Sequence, residues 1–393
     1  MTQFTPTDFS DLEACLQQIV ADKTPVAIQA RGTKQGFGNV VAADHILDVS
    51  QMSGIIDYEP EELIITAHAA TPLQDIEAAL AAKGQMLAFE PPHLERVFGA
   101  SSTGSLGGYL MTNLSGPRRL SAGAARDFLL GFSAVSGRGT AFKSGSKVVK
   151  NVTGYDLSKL ICGSFGTMAV IDEVTVKTLP APETSCSVIV ASNDGQKAAA
   201  AVQMAMQTSF EASAAAIVPK GMHDLARNAH VAVIRLEGVA VLSVADRLAH
   251  MKAALADYGH CDDLAHDASQ GLWQDIRDAR LLPEEASQIW RISVAPTEGF
   301  AILEDIQNHM ACSGYLDWAG GLLWLACADE GAHQIIRTAI AKRGEGHASL
   351  IKGSEDLRSQ IDVFQPMAPA LAALNKRIQA SFDPHNLLNP GWL

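Results

Sequence analysis

No run of about 18 apolar residues occurs anywhere in this chain of 393, so no segment reads as a membrane-spanning helix. Basic residues are short: 30 Lys and Arg stand against 43 Asp and Glu, a formal charge of −13. A nucleic-acid partner is thereby disfavoured, because a phosphate backbone is bound by a basic face. Cysteine is scarce and scattered, at Cys15, Cys162, Cys186, Cys261, Cys312 and Cys327, with no CxxC pair. That spacing argues against an iron–sulfur centre or other metal site and suits buried thiols of a cytoplasmic protein. The 12 histidines include no H-x-H or H-E-x-x-H pair, so no metal is expected. The first residues, MTQFTPTDFSDLEACLQQ, carry acids early and lack a basic segment followed by an apolar one, which is unlike a signal peptide.

What is present is apolar and compact. Hydrophobic residues make up 47% of the chain and charged ones only 19%, enough for two or three domains with proper cores. Thr7 or Asp8 can cap a first helix that turns Leu12, Leu16, Ile19 and Val20 to one side. Val26–Ala30, His45–Val49 and Glu62–Ala67 read as strands, and Thr71-Pro-Leu-Gln74 carries the signals that open a helix. Residues 132–179 are strand-rich. Pro180-Ala-Pro182 is the best boundary, dividing residues 1–182 from residues 183–393, and the second part opens with Cys186–Val190 as a strand and 195–210 as a helix. The class is α+β or α/β. Trp318 and Trp324 pack the second part's sheet or face a partner. Lys143, Lys147 and Lys150 form a small basic patch.

The stretch from Gly99 to Gly131 is too small, too polar and too rich in glycine to be core. Its unshielded amides at Ser102, Thr103, Gly104, Ser105, Gly107 and Gly108 can come close to an anionic ligand. It matches neither the G-x-G-x-x-G turn of a Rossmann unit nor the Walker loop, which would need Gly-Lys-Ser/Thr.

Four motifs in order give the chain a resemblance to the FAD-binding proteins of the vanillyl-alcohol oxidase type, the PCMH fold. They are the loop from Ala30 to Gly38, which opens Ala30-Arg31-Gly32-Thr33-Lys34, the stretch from Pro91 to Gly131, the pair Gly154–Leu157 and Gly163–Thr167 with Val170-Ile171, and the tail from Asp383 to Gly391. Glu90-Pro-Pro-His93, Leu114–Arg119, Tyr315–Trp324 and Gly346–Leu350 bring the likeness nearest to the smaller flavin-type subunits of glycolate oxidases. The resemblance implies an α+β PCMH-type domain of two subdomains over residues 1–182, then a smaller α+β cap whose tail returns to the FAD domain. It implies noncovalent FAD, since the loop has no histidine for a covalent link. The cofactor would lie against the first loop, Pro92, the Ser102–Gly108 amides, Asn113, Ser115, Gly116, Gly166, Val170 and Ile171. It also implies partners: a larger FAD-binding catalytic subunit and an iron–sulfur subunit, with contact to a membrane only through them. One departure stands out, because Ala30 and Arg31 replace glycines of the family's first loop. Arg31 either turns outward or brings charge to the phosphates.

Oxidising glycolate or a similar 2-hydroxy acid needs a cation for the carboxylate and a base for the hydroxyl proton. Arg118 and Arg119 follow the cradle directly and offer bidentate forks, unless they pair with acids. His347 is the base suggested by residue type. Three readings follow: an FAD subunit of a glycolate oxidase complex, a self-sufficient FAD oxidoreductase, or a structural subunit without flavin.

Overall fold

The computed structural model describes residues 2–145 and 155–393; Lys147, Lys150 and Gly154 lie outside the described residues. The first helix, Phe9–Asp22, begins at Asp8, whose extended backbone lets Oδ1 accept the Asp11 N–H at 2.9 Å. Leu12, Leu16 and Ile19 recur at helical spacing and are fully buried against Val26 and Leu47. Those two belong to a small parallel sheet in the order Gln3–Phe4, His45–Asp48, Val26–Gln29.

A second sheet is antiparallel and has five strands, in the order Ile55–Glu59, Ile64–His68, Ala169–Lys177, Leu129–Ser136, Ala141–Gly145. Helix Leu73–Ala81 lays Leu73, Ile76 and Leu80 into the same core as Ile65 and Ala67. Thr71 does not cap that helix. Its hydroxyl instead accepts the Gly54 N–H at 2.9 Å and donates to the Gly54 carbonyl at 3.0 Å, so Pro72 takes the cap position. Pro180 is not free linker either, because Leu179–Pro180 pairs with Gln85–Met86.

The widest sheet comes last: eight antiparallel strands in the order His260–Leu264, Thr184–Ser192, His230–Gly238, Ala214–Val218, Cys312–Asp317, Leu322–Cys327, Gln288–Val294, Gly346–Lys352. Side chains alternate along a strand, so each strand feeds two cores. Val188, Val190, Ala232 and Ile234 pack under the helices Gly195–Gln207 and Val241–Leu255. Ile189, Val231, Val233, Tyr315 and Trp324 face the other way, into the core shared with the five-stranded sheet. Both tryptophans of the expected run are buried there. The alternation also puts Arg235, Glu237, Arg291, Asp317 and His347 in phase with the residues that face the N-terminal half.

Candidate functional site

The three- and five-stranded sheets meet at an open cleft of about 820 Å³. Three distant stretches line it. Ala30, Arg31, Gly32, Thr33 and Lys34 come from the loop after the strand Val26–Gln29. Ser105, Gly107 and Gly108 come from the start of the helix Leu106–Thr112, where the Ser105 hydroxyl accepts the Gly108 N–H at 3.2 Å. Gly166, Val170 and Ile171 form the opposite wall. Backbone geometry explains the glycines. Gly32 (φ +64°) and Gly166 (φ +70°) are left-handed, and a Cβ on Gly166 would lie 2.9 Å from Asn389 Nδ2. Arg31 is exposed, lines the cleft and has no positive φ, so the departure in the loop carries no left-handed backbone strain. A Cβ on Gly104 would collide with Lys34 Nζ. On Gly107 it would lie 2.7 Å from Ala69 Cβ and 2.8 Å from Ala69 O, so that glycine is needed for the helix to pack on the strand end. Gly108 meets only Ser105 Oγ at 3.3 Å and Lys34 Nζ at 3.6 Å.

The other expected cradle residues stitch the structure together instead of lining this cleft. Pro92 is buried beside it in sequence, and Ser102 and Thr103 sit in the preceding loop. Asn113 ends the helix at φ +50°, its Oδ1 accepting the Arg126 N–H at 3.2 Å, and Ser115 Oγ accepts the Ala125 N–H at 3.0 Å. The Gly116 carbonyl accepts the indole N–H of Trp318 at 2.9 Å, and a Cβ there would collide with the Glu90 carbonyl. Sequence reasoning missed Asn389 and Trp392 in the cleft wall. Asn389 Oδ1 accepts the Ile28 N–H at 2.7 Å and its Nδ2 donates to the Phe165 carbonyl at 2.8 Å, tying both walls to the tail. The tail motif was visible, but nothing in it marked which residue turns into the cleft.

Arg118 and Arg119 are adjacent in sequence and separate in space. Arg118 is buried, with Nη2 at 2.6 Å from Glu237 Oε1 and Nε at 3.3 Å from Glu90 Oε1. Arg235 completes the square with two bonds to Glu90, at 2.9 and 2.8 Å, and a contact to Glu237 at 3.3 Å. Burial works against the Glu90 carboxylate, but Arg235 and Arg118 outweigh it and hold its pKa below the usual range. Arg118 is therefore committed to two carboxylates and joins the N-terminal half to the eight-stranded sheet; the substrate role expected of it has no support here.

Arg119 instead lies with its Cζ 4.6 Å from the centre of the Trp318 ring, and Arg291 lies 4.8 Å from the same ring. Neither makes an ion pair among the described residues. Burial lowers Arg291 to about 10, which leaves it cationic at neutral pH. His347 is placed beside it by register, since Ser293 pairs with His347 and Arg291 with Ser349. Although His347 is exposed at the surface, desolvation on its inner side and then the charges of Arg291 and Arg119 lower its pKa below the ordinary 6.5, which favours the neutral imidazole. Trp318 (φ +52°) and Ala319 (φ +55°) are both left-handed, a costly conformation for such residues that marks an over-determined corner. The Trp318 N–H is held by Asp317 Oδ1 at 2.7 Å.

Residues 3–145 match the family described as FAD binding domain. The chain is 34% identical to glycolate oxidase subunit GlcE of Escherichia coli over 386 residues, covering 96% of each. It is 26% identical over 221 residues to glycolate oxidase subunit GlcD of Bacillus subtilis, covering 56% of this chain and 44% of that one. The solved structure of p-cresol methylhydroxylase superposes with a TM-score of 0.77 at 14% identity, covering 99% of this chain and 88% of that one, a likeness of fold. The α+β, PCMH-type architecture is that of the described sheets, and the chain belongs to the family of glycolate oxidase subunit GlcE.

Proposed function

We propose that this chain is the FAD-binding subunit of a glycolate-oxidising complex, holding FAD without a covalent link and handing electrons to partner subunits. The observation that carries the reading is the glycine-lined cleft assembled from three distant stretches of chain. Its polar loop and close-approach glycines suit a diphosphate, and its apolar wall of Val170 and Ile171 suits a flat ring system, so the residues present fit FAD. Residues 1–182 form the cofactor domain and 183–393 the cap, whose tail returns to the cofactor. The partners are a larger flavin subunit and an iron–sulfur subunit, with the assembly in the cytoplasm or peripheral at a membrane. Among the described residues no helix is long and apolar enough to cross one.

FAD, when bound, supplies the hydride acceptor. Arg119 and Arg291, which form no ion pair with a carboxylate among the described residues, grip the carboxylate of a 2-hydroxy acid. Neutral His347 takes the hydroxyl proton at an imidazole nitrogen. Trp318, fixed by Gly116 and Asp317, positions both guanidiniums. The test is the visible spectrum of the purified chain, recorded anaerobically before and after glycolate is added. Flavin bands are expected that bleach with glycolate in the wild type and not in Arg291→Met, and a separate acid precipitation should release the flavin into the supernatant. A chain that stays colourless after incubation with FAD overturns the cofactor assignment and leaves a structural subunit. Bands that persist in glycolate locate the substrate chemistry in a partner.

A further inference from the structure

Lys34 is the cation most deeply set in the cleft. Only 9% of it is exposed, and its Nζ lies 3.7 Å from the centre of the Tyr109 ring. It makes no hydrogen bond or ion pair among the described residues. Lys34 lines both the cleft and a small neighbouring pocket formed with Thr33, Glu95, Phe98 and Gly104. Two buried oxygens, Glu95 Oε1 in the same pocket and Thr103 Oγ1 one residue before Gly104, have no hydrogen-bond partner among the described residues. An unpaired ammonium largely withdrawn from water is costly, and a nearby carboxylate oxygen without a hydrogen bond does not relieve it. The geometry is that of a charge kept for an anion arriving in the cleft: Gly104 and Gly108 leave the space beside the ammonium open, while the Leu106 and Gly107 N–H groups are taken by the Thr71 and Ala69 carbonyls.

We propose that Lys34 couples cofactor binding to uptake of a proton: its amine becomes the ammonium that pairs with the diphosphate of FAD lying along the Gly104–Gly108 backbone. The inference rests on the FAD reading above and adds to it a specific cation and a proton count. Burial lowers Lys34 to about 7, opposed by the charge of Glu95, the acid facing it from the helix Glu95–Phe98. Tyr109, the other titratable group against it, is pushed far up by its own burial and then by Glu95, Glu77 and Asp278, so it stays neutral. At pH 8 a large share of Lys34 is therefore unprotonated, and an adjacent diphosphate dianion restores the proton. The bond that forms is N–H to phosphate oxygen, and the proton comes from solvent.

The experiment is calorimetric titration of flavin-free protein with FAD at pH 6 and pH 8, in two buffers of different ionisation enthalpy. The wild type should take up most of one proton at pH 8 and close to none at pH 6. Lys34→Met should take up none at either pH and bind FAD about ten- to a hundredfold more weakly, the loss expected of one charge-assisted contact. Its melting temperature should be no lower than the wild type's, since an unpaired buried charge is removed. Equal proton counts and affinities in the two proteins overturn the proposal and leave the FAD assignment standing. Absence of FAD binding in the wild type overturns both. If the variant does not fold, the wild-type proton count alone decides, and a count near zero at pH 8 refutes the coupling.

Discussion

Replacing Arg235 with Met removes one of two cations from the buried square of Arg118, Arg235, Glu90 and Glu237. Arg235 is 4% exposed, and three of its contacts to the two carboxylates lie between 2.8 and 3.3 Å. The variant leaves both carboxylates to Arg118 alone, with one buried negative charge uncompensated. Breaking a buried pair from one side costs about 3–5 kcal/mol. A chain of 393 residues unfolds with an entropy of about 0.8 kcal/mol/K at roughly 2.1 cal/mol/K per residue, so the melting temperature should fall by about 4–6 °C. Adding Glu90→Gln returns the cluster to neutrality, and the double variant should melt above Arg235→Met. Differential scanning calorimetry at pH 7.5 reads both. A fall of about 1 °C or less, as exposed pairs give, or simple additivity of the two single changes, refutes the reasoning. The pH dependence follows from sign. Glu90 is held below its ordinary 4.5, so its contribution is present above that pH and is lost as pH falls through the folded value. The gap between wild type and Glu90→Gln should close in acid.

Asp317 titrates in the opposite sense. Burial raises its carboxyl to about 7 from an ordinary 3.8, against the opposing pull of the Trp318 N–H, Arg235 and Arg291. The folded state therefore holds a proton that the unfolded state has lost, and stability falls as pH rises through that window. Asp317→Asn keeps an oxygen for the Trp318 N–H and should melt above the wild type at pH 8, with the advantage gone by pH 4; parallel melting curves at both pH values contradict this. The cradle glycines should also part company. Gly107→Val meets Ala69 and should lower the melting temperature, whereas Gly108→Val projects toward the cleft and should fold but lose flavin, as measured by absorbance per protein. Full flavin content in Gly108→Val argues that the cofactor does not approach this helix.

The elements that were legible in the sequence are those whose signals are local. Asp8 caps its helix, and the burial of Leu12, Leu16 and Ile19 follows from their spacing. The strand Ile55–Glu59 escaped notice because it lies at a sheet edge, where Ile55 and Ile56 are both exposed and no alternation survives. In the eight-stranded sheet both faces are covered, so strands such as His230–Gly238 read as continuous apolar runs that do not announce which residues look toward the N-terminal half. The first loop and the Ser105–Gly108 turn were readable because glycine at a close approach has few substitutes. The fates of Arg118 and Arg119 were not, since Glu237 and Trp318, more than a hundred positions away, decide them. Arg291 gave no signal at all: its direction is set by strand phase and its neighbour by the pairing of Ser293 with His347.

The tail has a consequence for the timetable of synthesis. Strand Val26–Gln29 is made long before its partners: the Ile28 N–H pairs with Asn389, 361 positions later, and the Val26 N–H with the Leu387 carbonyl. Trp392, in turn, donates to the Phe37 carbonyl and lines the cleft. A ribosome-bound chain that has completed its first 180 residues thus has the loop and the glycine turn but lacks one wall. The cleft becomes whole only after residues 183–393 have been translated, so whatever it holds can be closed in only once the tail has been made.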